Sequence, residues 1–223
     1  MKKTIYYIKK TLLLIAIINL LFASITLSMA SSVVINEIMY DPPAGQKEPD
    51  NEWIELYNTQ DTAIDIGGWT IRDRLTSSGH IYTIPTGTSI SANGYLVLAR
   101  NATAFNSKYG FNPDLEYGSS ASTLKLNNGG DDIILNNSDG AIVDKVSYYN
   151  SWGGNGNGFS LERINPNRES NDPNNWGDSS IVGGTPRAQN SKSPSIPEFP
   201  TVAIPIAILL GIMLIRFRKK SNR

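Results

Sequence analysis

The chain has 223 residues, enough for one domain with additions, and its 20 basic residues balance 20 acidic ones. It contains no cysteine, which excludes thiol catalysis, iron–sulfur clusters and cysteine zinc sites; at this size a core forms without disulfides or metals. The charge balance hides a segregation: residues 31–196 carry 11 bases against 19 acids, a net of −8, which repels phosphate backbones and argues against nucleic acid as a partner.

Residues 1–30 read as a signal peptide. Lys2, Lys3, Lys9 and Lys10 form a positive region, and Leu12 to Phe22 is an apolar run broken only by Asn19. Ser28-Met29-Ala30 then places small residues where a signal peptidase reads. An uncleaved N-terminal anchor fits the same pattern, and under both readings the domain beyond residue 30 is exported.

Residues 31–190 read as an all-β domain. Val33 to Met39 is a β-branched opening strand. Glu52 to Tyr57 alternates, with Ile54 and Leu56 on one face and Trp53, Glu55 and Tyr57 on the other. Gly67-Gly68 turns the chain into Trp69 to Arg72, where Trp69 is expected in the core. His80 to Ile84 and Tyr95 to Ala99 are further strands, the second entered through the turn dipeptide Asn93-Gly94. Ala102 to Tyr109 forms two helical turns, capped by Asn101 and ended by Gly110, and residues 112–122 are expected as loop. Asp131 to Leu135 and Ala141 to Tyr148 flank Asn137 to Gly140 as a hairpin, and Phe159 to Ile164 is the last clear strand. Short strands with turns between them predict a sandwich.

Chemistry-bearing residues are sparse. A hydrolytic triad needs an oriented base, but the single histidine, His80, has only Asp73 near it in sequence and no nucleophile motif. Asp41, Glu48, Asp50 and Glu52 crowd one loop, without the spacing of a calcium-binding hand; no cofactor or metal is expected. Glu37, Glu52 and Glu55 are expected to bond backbone or an arginine. Tyr148, Tyr149 and Trp152 stand at a Gly/Asn-rich loop, taken as flexible, and are candidate ligand contacts, since aromatics there stack on sugars or a protein partner. Asn101 and Asn136 begin glycosylation sequons.

Residues 191–196 form a polar linker. Phe199 to Phe217 is apolar over 19 residues, about 28 Å as a helix and sufficient for a bilayer core. The bases from Arg216 onward remain on the cytoplasmic side.

The stretches Val34-Ile35-Asn36-Glu37-Ile38, Glu52 to Asn58, Ile66 to Ile71, Gly94 to Leu98, Leu126 to Asp131, Gly140 to Asp144 and Gly184 to Asn190 resemble the lamin-tail domain, with Arg187 where that family usually has glycine. The resemblance implies an immunoglobulin-like β-sandwich. Pro197-Glu198-Phe199, the apolar span and the basic end over residues 197–223 resemble a PEF-CTERM sorting signal. That implies an archaeosortase-like processing enzyme reading Pro197, Glu198 and Phe199, with membrane attachment by the tail or, after processing, by a lipid; an ordinary transmembrane anchor fits the same composition. The expected protein is a non-catalytic, surface-anchored binding or adhesion module for an envelope protein or glycan. The alternatives are a structural envelope component or a metal-assisted hydrolase accessory domain.

Overall fold

The computed structural model describes residues 31–43, 49–73, 80–118 and 124–194. The predicted leader, the apolar tail and Pro197, Glu198 and Phe199 lie outside the described residues.

The described residues form twelve strands and one α-helix. They are β1 (Val33–Met39), β2 (Trp53–Asn58), β3 (Ile64–Asp65), β4 (Thr70–Arg72), β5 (Ile81–Thr83), β6 (Ser89–Ile90), β7 (Tyr95–Ala99), α1 (Ala102–Tyr109), β8 (Leu115–Glu116), β9 (Gly130–Asn136), β10 (Ile142–Tyr149), β11 (Leu161–Arg163) and β12 (Trp176–Asp178). One sheet runs β12-β11-β1-β2-β7-β8, a second runs β10-β9-β4-β5, and β3 and β6 make a small ribbon. The protein is thus mostly β with one short helix.

The two larger sheets share one apolar core. Ile35, Ile54, Leu56 and Leu98 from the first sheet meet Ile71, Ile133, Leu135 and Val146 from the second. The β9–β10 hairpin matches its turn chemistry: Gly140 N–H donates to Asn137 O, and Asn137 N–H donates to Ala141 O. Asn93-Gly94 does turn the chain, but between β6 and β7, which belong to different sheets, so it closes no hairpin. In β1 the register shifts between Ile35 and Glu37. This bulge leaves Asn36 unpaired, lets Ile35 and Ile38 both face the core, and brings Glu37 to the outer face.

The stretch expected as loop contains β8, which pairs with β7 in parallel. Parallel neighbours need a crossover, and α1 supplies it. Asn101 caps this helix by accepting from the Ala104 N–H, and Gly110 ends it at φ +78°. Phe105 packs the helix onto Met39, Trp53, Val97 and Ala99, which form a second apolar cluster on the outer face of the first sheet.

Trp69 is not a fully buried core residue. It is half-buried at the core's edge, and Ile71 is the buried residue of β4. The fully enclosed tryptophan is Trp53, beneath α1. Its indole N–H donates to the Tyr109 hydroxyl (2.9 Å), which donates to Gly183 O (2.7 Å).

Candidate binding cleft and the strap beside it

The outer face of β2 meets three different environments. Trp53 lies under α1, Glu55 lies under the closing strap 183–192, and Tyr57 is covered by neither and forms part of a cleft floor.

The strap closes over carboxylates. Glu37 on β1 is opposite Glu55 on β2 and Glu162 on β11, and all three are fully buried. Ser160 Oγ donates to Glu37 Oε1, as does the Thr185 N–H at 2.8 Å. The Arg187 N–H donates to Glu55 Oε2 at 2.5 Å, and Asn36 Nδ2 donates to its Oε1 at 2.9 Å. Ser191 Oγ (2.7 Å) and the Lys192 N–H (3.0 Å) donate to Glu162 Oε2. Glu37 and Glu55 therefore bond backbone, as expected. Glu52 has a cation instead, the Arg100 guanidinium at 3.8 Å.

Burial pushes the Glu37 carboxyl up to about 8, helped by the charge of Glu162. Burial and then the charge of Glu37 push Glu55 up to about 9. Hydrogen-bond arithmetic agrees. The Thr185 hydroxyl lies 3.1 Å from Glu37 Oε2 and 2.8 Å from Glu162 Oε1, yet it has one proton to give. With a proton on Glu37 Oε2, that carboxyl donates to Thr185 and Thr185 donates to Glu162. Gly184 is required beside them: at φ +87° it favours glycine, and a Cβ there would collide with Glu37 Oε1 and Ser160 Oγ.

The cleft opens beside this strap, with a volume of about 440 Å³, within the ~300–1,000 Å³ of small-ligand sites. Its floor includes Tyr57 and Tyr95, paired across β2 and β7 with ring centroids 4.9 Å apart at 32°. One wall is the loop after β11, from Ile164 to Asn167, and the other runs from Gln189 to Pro194. Both walls are fixed from behind. Asn190 Nδ2 donates to Asn36 O (2.9 Å) and Arg163 O (2.8 Å). Arg163 donates to Arg168 O (2.7 Å), pairs with Asp144 (2.9 Å), and faces the Trp176 ring at 5.8 Å. Asn175 Nδ2 donates to Asn165 O (3.0 Å) and Glu169 O (3.2 Å). The cleft is thus preformed. Period 2 puts Tyr57 on the face opposite Ile54 and Leu56, but nothing in the sequence ties it to Asn167 or Gln189.

The candidate contacts singled out from sequence have different positions. Tyr148 is 1% exposed, its ring 4.6 Å from that of Tyr40 and its hydroxyl donating to Asn127 O; it is a core residue and presents no ring to a ligand. Tyr149 is 57% exposed and lies 6.0 Å from the half-buried Trp152. The loop after them is packed down rather than free. Gly154 is buried and its N–H donates to Asp178 Oδ1 (2.6 Å), and a Cβ at Gly153 would strike Asp178 N.

Of the sequon asparagines, Asn101 is the helix cap. Asn136 is 7% exposed and its Nδ2 donates to Gly140 O at 3.0 Å. A glycan attaches through that nitrogen, so the folded domain closes Asn136 to modification. His80 Nδ1 lies 2.7 Å from Asp73 Oδ2, and Asp73 Oδ1 also accepts the His80 N–H (2.8 Å). The pair joins the end of β4 to the start of β5. Among the described residues, no group of three or more His, Asp or Glu side chains is arranged to hold a metal ion.

Comparison with known proteins identifies both regions. The Lamin Tail Domain profile matches residues 27–150, ending before β11, β12 and the strap. The PEF-CTERM archaeal protein sorting domain matches residues 196–220. No curated protein matches. Among solved structures, the chain is similar to a DUF4876 family protein from Bacteroides thetaiotaomicron VPI-5482, with 8% identity, 75% of each chain covered and a TM-score of 0.45, too remote to carry weight. The sorting domain implies an exported, cell-surface protein processed by a sorting enzyme. Since the first profile covers more than half of the 223 residues, the chain belongs to the lamin tail domain family and ends in a PEF-CTERM sorting domain.

Proposed function

We propose that the protein is a non-catalytic binding module of immunoglobulin-like architecture, displayed on an archaeal-type surface and binding through the Tyr57/Tyr95 cleft. The observation that carries this reading is a preformed cleft whose wall includes Ser193 and Pro194, the last described residues before the sorting domain. Two features support it. The buried carboxylates Glu37, Glu55 and Glu162 are committed to holding the strap, which leaves them no substrate to face. The acidic character of residues 31–196 disfavours a nucleic-acid partner. Processing is by an archaeosortase-like enzyme acting at Pro197-Glu198-Phe199, with the mature protein held by a lipid.

The test separates binding from a structural role. Protein lacking residues 196–223 is collected from the medium and added to cells from which the gene has been deleted. Saturable rebinding, lost in the Tyr57→Ala and Tyr95→Ala variants, is the expected result. Absence of rebinding, with a weakened envelope in the deletion strain, would make the protein a structural component.

A further inference from the structure

The lining of the cleft restricts its occupant, given the reading of the cleft as the binding site. No Asp, Glu, Lys or Arg side chain is among its described lining residues. The floor presents Tyr57 and Tyr95, whose rings lean on one another in tilted contact, and the rim presents the amides of Asn165, Asn167 and Gln189. The geometry points to a short neutral oligosaccharide as the ligand, its apolar C–H surface against the Tyr57/Tyr95 ring pair and its hydroxyls on the rim amides.

The polar groups divide into two sets. Asn36 and Asn190 are consumed by each other, by Glu55 and by backbone, so they fix the shape. The hydroxyls of Tyr57 and Tyr95, and the side-chain amides of Asn167 and Gln189, meet no partner among the described residues. Each amide offers a donor and an acceptor, and each phenol offers both, which suits a hydroxyl that itself donates and accepts. A charged ligand would have no counter-ion in this lining, whereas an apolar one would leave the amides unsatisfied on desolvation. The ground behind the floor is neutral too: burial keeps Glu37 and Glu55 protonated near pH 7 and pushes the Tyr95 hydroxyl up to about 12.

Position narrows the source. Residues 195–198 separate Pro194 in the cleft wall from Phe199, the start of the apolar span, five residue steps away. Five extended residues reach at most about 18 Å. The cleft therefore stays within a short reach of the surface that the tail engages, and the sugar is one carried by the protein's own envelope.

The experiment uses the full chain in zwitterionic, sugar-free micelles, with maltotriose and mannotriose as probes. Binding is read by saturation-transfer NMR and calorimetry. In a second arm, chain reconstituted in phosphatidylcholine vesicles is offered phosphatidylcholine vesicles with and without a dihexosyl diglyceride. At least one neutral trisaccharide is expected to bind with saturation transfer to its ring protons. Tyr57→Ala and Tyr95→Ala each weaken it about tenfold, Tyr95→Phe retains most of it, and acidic trisaccharides bind more weakly. The exposed double variant Asn167→Ala/Gln189→Ala weakens binding without touching the core, and carries the test if a tyrosine variant fails to fold. Capture of the glycolipid vesicles, reversed by free trisaccharide, identifies a lipid headgroup. Binding of free sugar alone identifies a wall or protein-linked glycan, and either result upholds the carbohydrate. Absence of binding by both trisaccharides and by glycolipid vesicles overturns it, as does binding unchanged in folded variants. If rebinding to cells still depends on Tyr57 and Tyr95 while no sugar binds, the carbohydrate falls and the binding module stands. If rebinding is absent too, both fall.

Discussion

Arg187 shows how a residue other than glycine can hold a left-handed backbone position. It sits at φ +66°, in the left-handed region where glycine is free and other residues are strained. The side chain supplies compensation: its guanidinium pairs with Asp114 at 2.5 Å and lies 5.0 Å over the Phe111 ring. The tryptophans make the opposite point, because identity alone does not give burial. Trp53 is enclosed by Phe105 and Tyr109, whose rings meet it edge-on at 6.1 and 5.9 Å, while Trp69 lies half-exposed at the core's edge. Trp53→Ala is therefore expected to cost about 3–5 kcal/mol, and Trp69→Ala less than half of that. Urea unfolding of both variants checks the order, and equal losses would contradict the placement of α1 over Trp53.

At the scale of the element, two of the carboxyls that hold the strap have their pKa raised by burial. Glu37 and Glu55 titrate at about 8 and about 9 in the folded protein, above their ordinary value of 4.5. Between those limits the unfolded chain has released protons that the folded chain keeps, so stability falls as pH rises. Their contribution is full below about 4.5 and is lost as pH passes through 8 to 9. Thermal melts should show a lower transition temperature toward pH ~9 than near pH ~5. Glutamine replacements separate the two sites. In Glu37→Gln, the amide oxygen accepts from Ser160 and Thr185 N–H while the NH2 donates to Thr185 Oγ1, so every bond is kept. That variant should match the wild type within about 1 kcal/mol near pH 7 and have a flatter pH profile. In Glu55→Gln, both oxygens of the wild-type carboxyl face donors, Asn36 Nδ2 and Arg187 N–H. One donor then meets an NH2, at an expected cost of about 1–3 kcal/mol. Equal behaviour of the two variants would refute the proton assignment.

At the scale of the whole molecule, the sorting domain implies that the lamin-tail domain is displayed at the cell surface. If Pro197-Glu198-Phe199 is the processing site, changing all three to alanine should leave a larger, unprocessed form in the membrane fraction. Immunoblots and intact-mass spectra of protein from its native host read this directly. Wild-type protein that still carries residues 200–223 would instead make the tail a plain transmembrane anchor.

What the sequence determined by itself is local and periodic. Val33 to Met39, Tyr95 to Ala99, the hairpin about Asn137 to Gly140, and the helix between Asn101 and Gly110 all follow from side-chain period, turn chemistry and caps. The ordered motifs also indicate the family and the sorting domain. Tertiary structure decided what covers each face. Period 2 puts Trp53, Glu55 and Tyr57 on one side of β2, but cannot say that a helix shields the first, a strap buries the second and a cleft exposes the third. Those outcomes depend on contacts such as Glu55 with Arg187 and Asn36 with Asn190, made between residues 132 and 154 positions apart. The two-residue strands β3, β6 and β8 escaped the sequence for the same reason. They are too short to show a period, and exist only because a distant partner, or a helix crossing overhead, brings a neighbouring strand alongside.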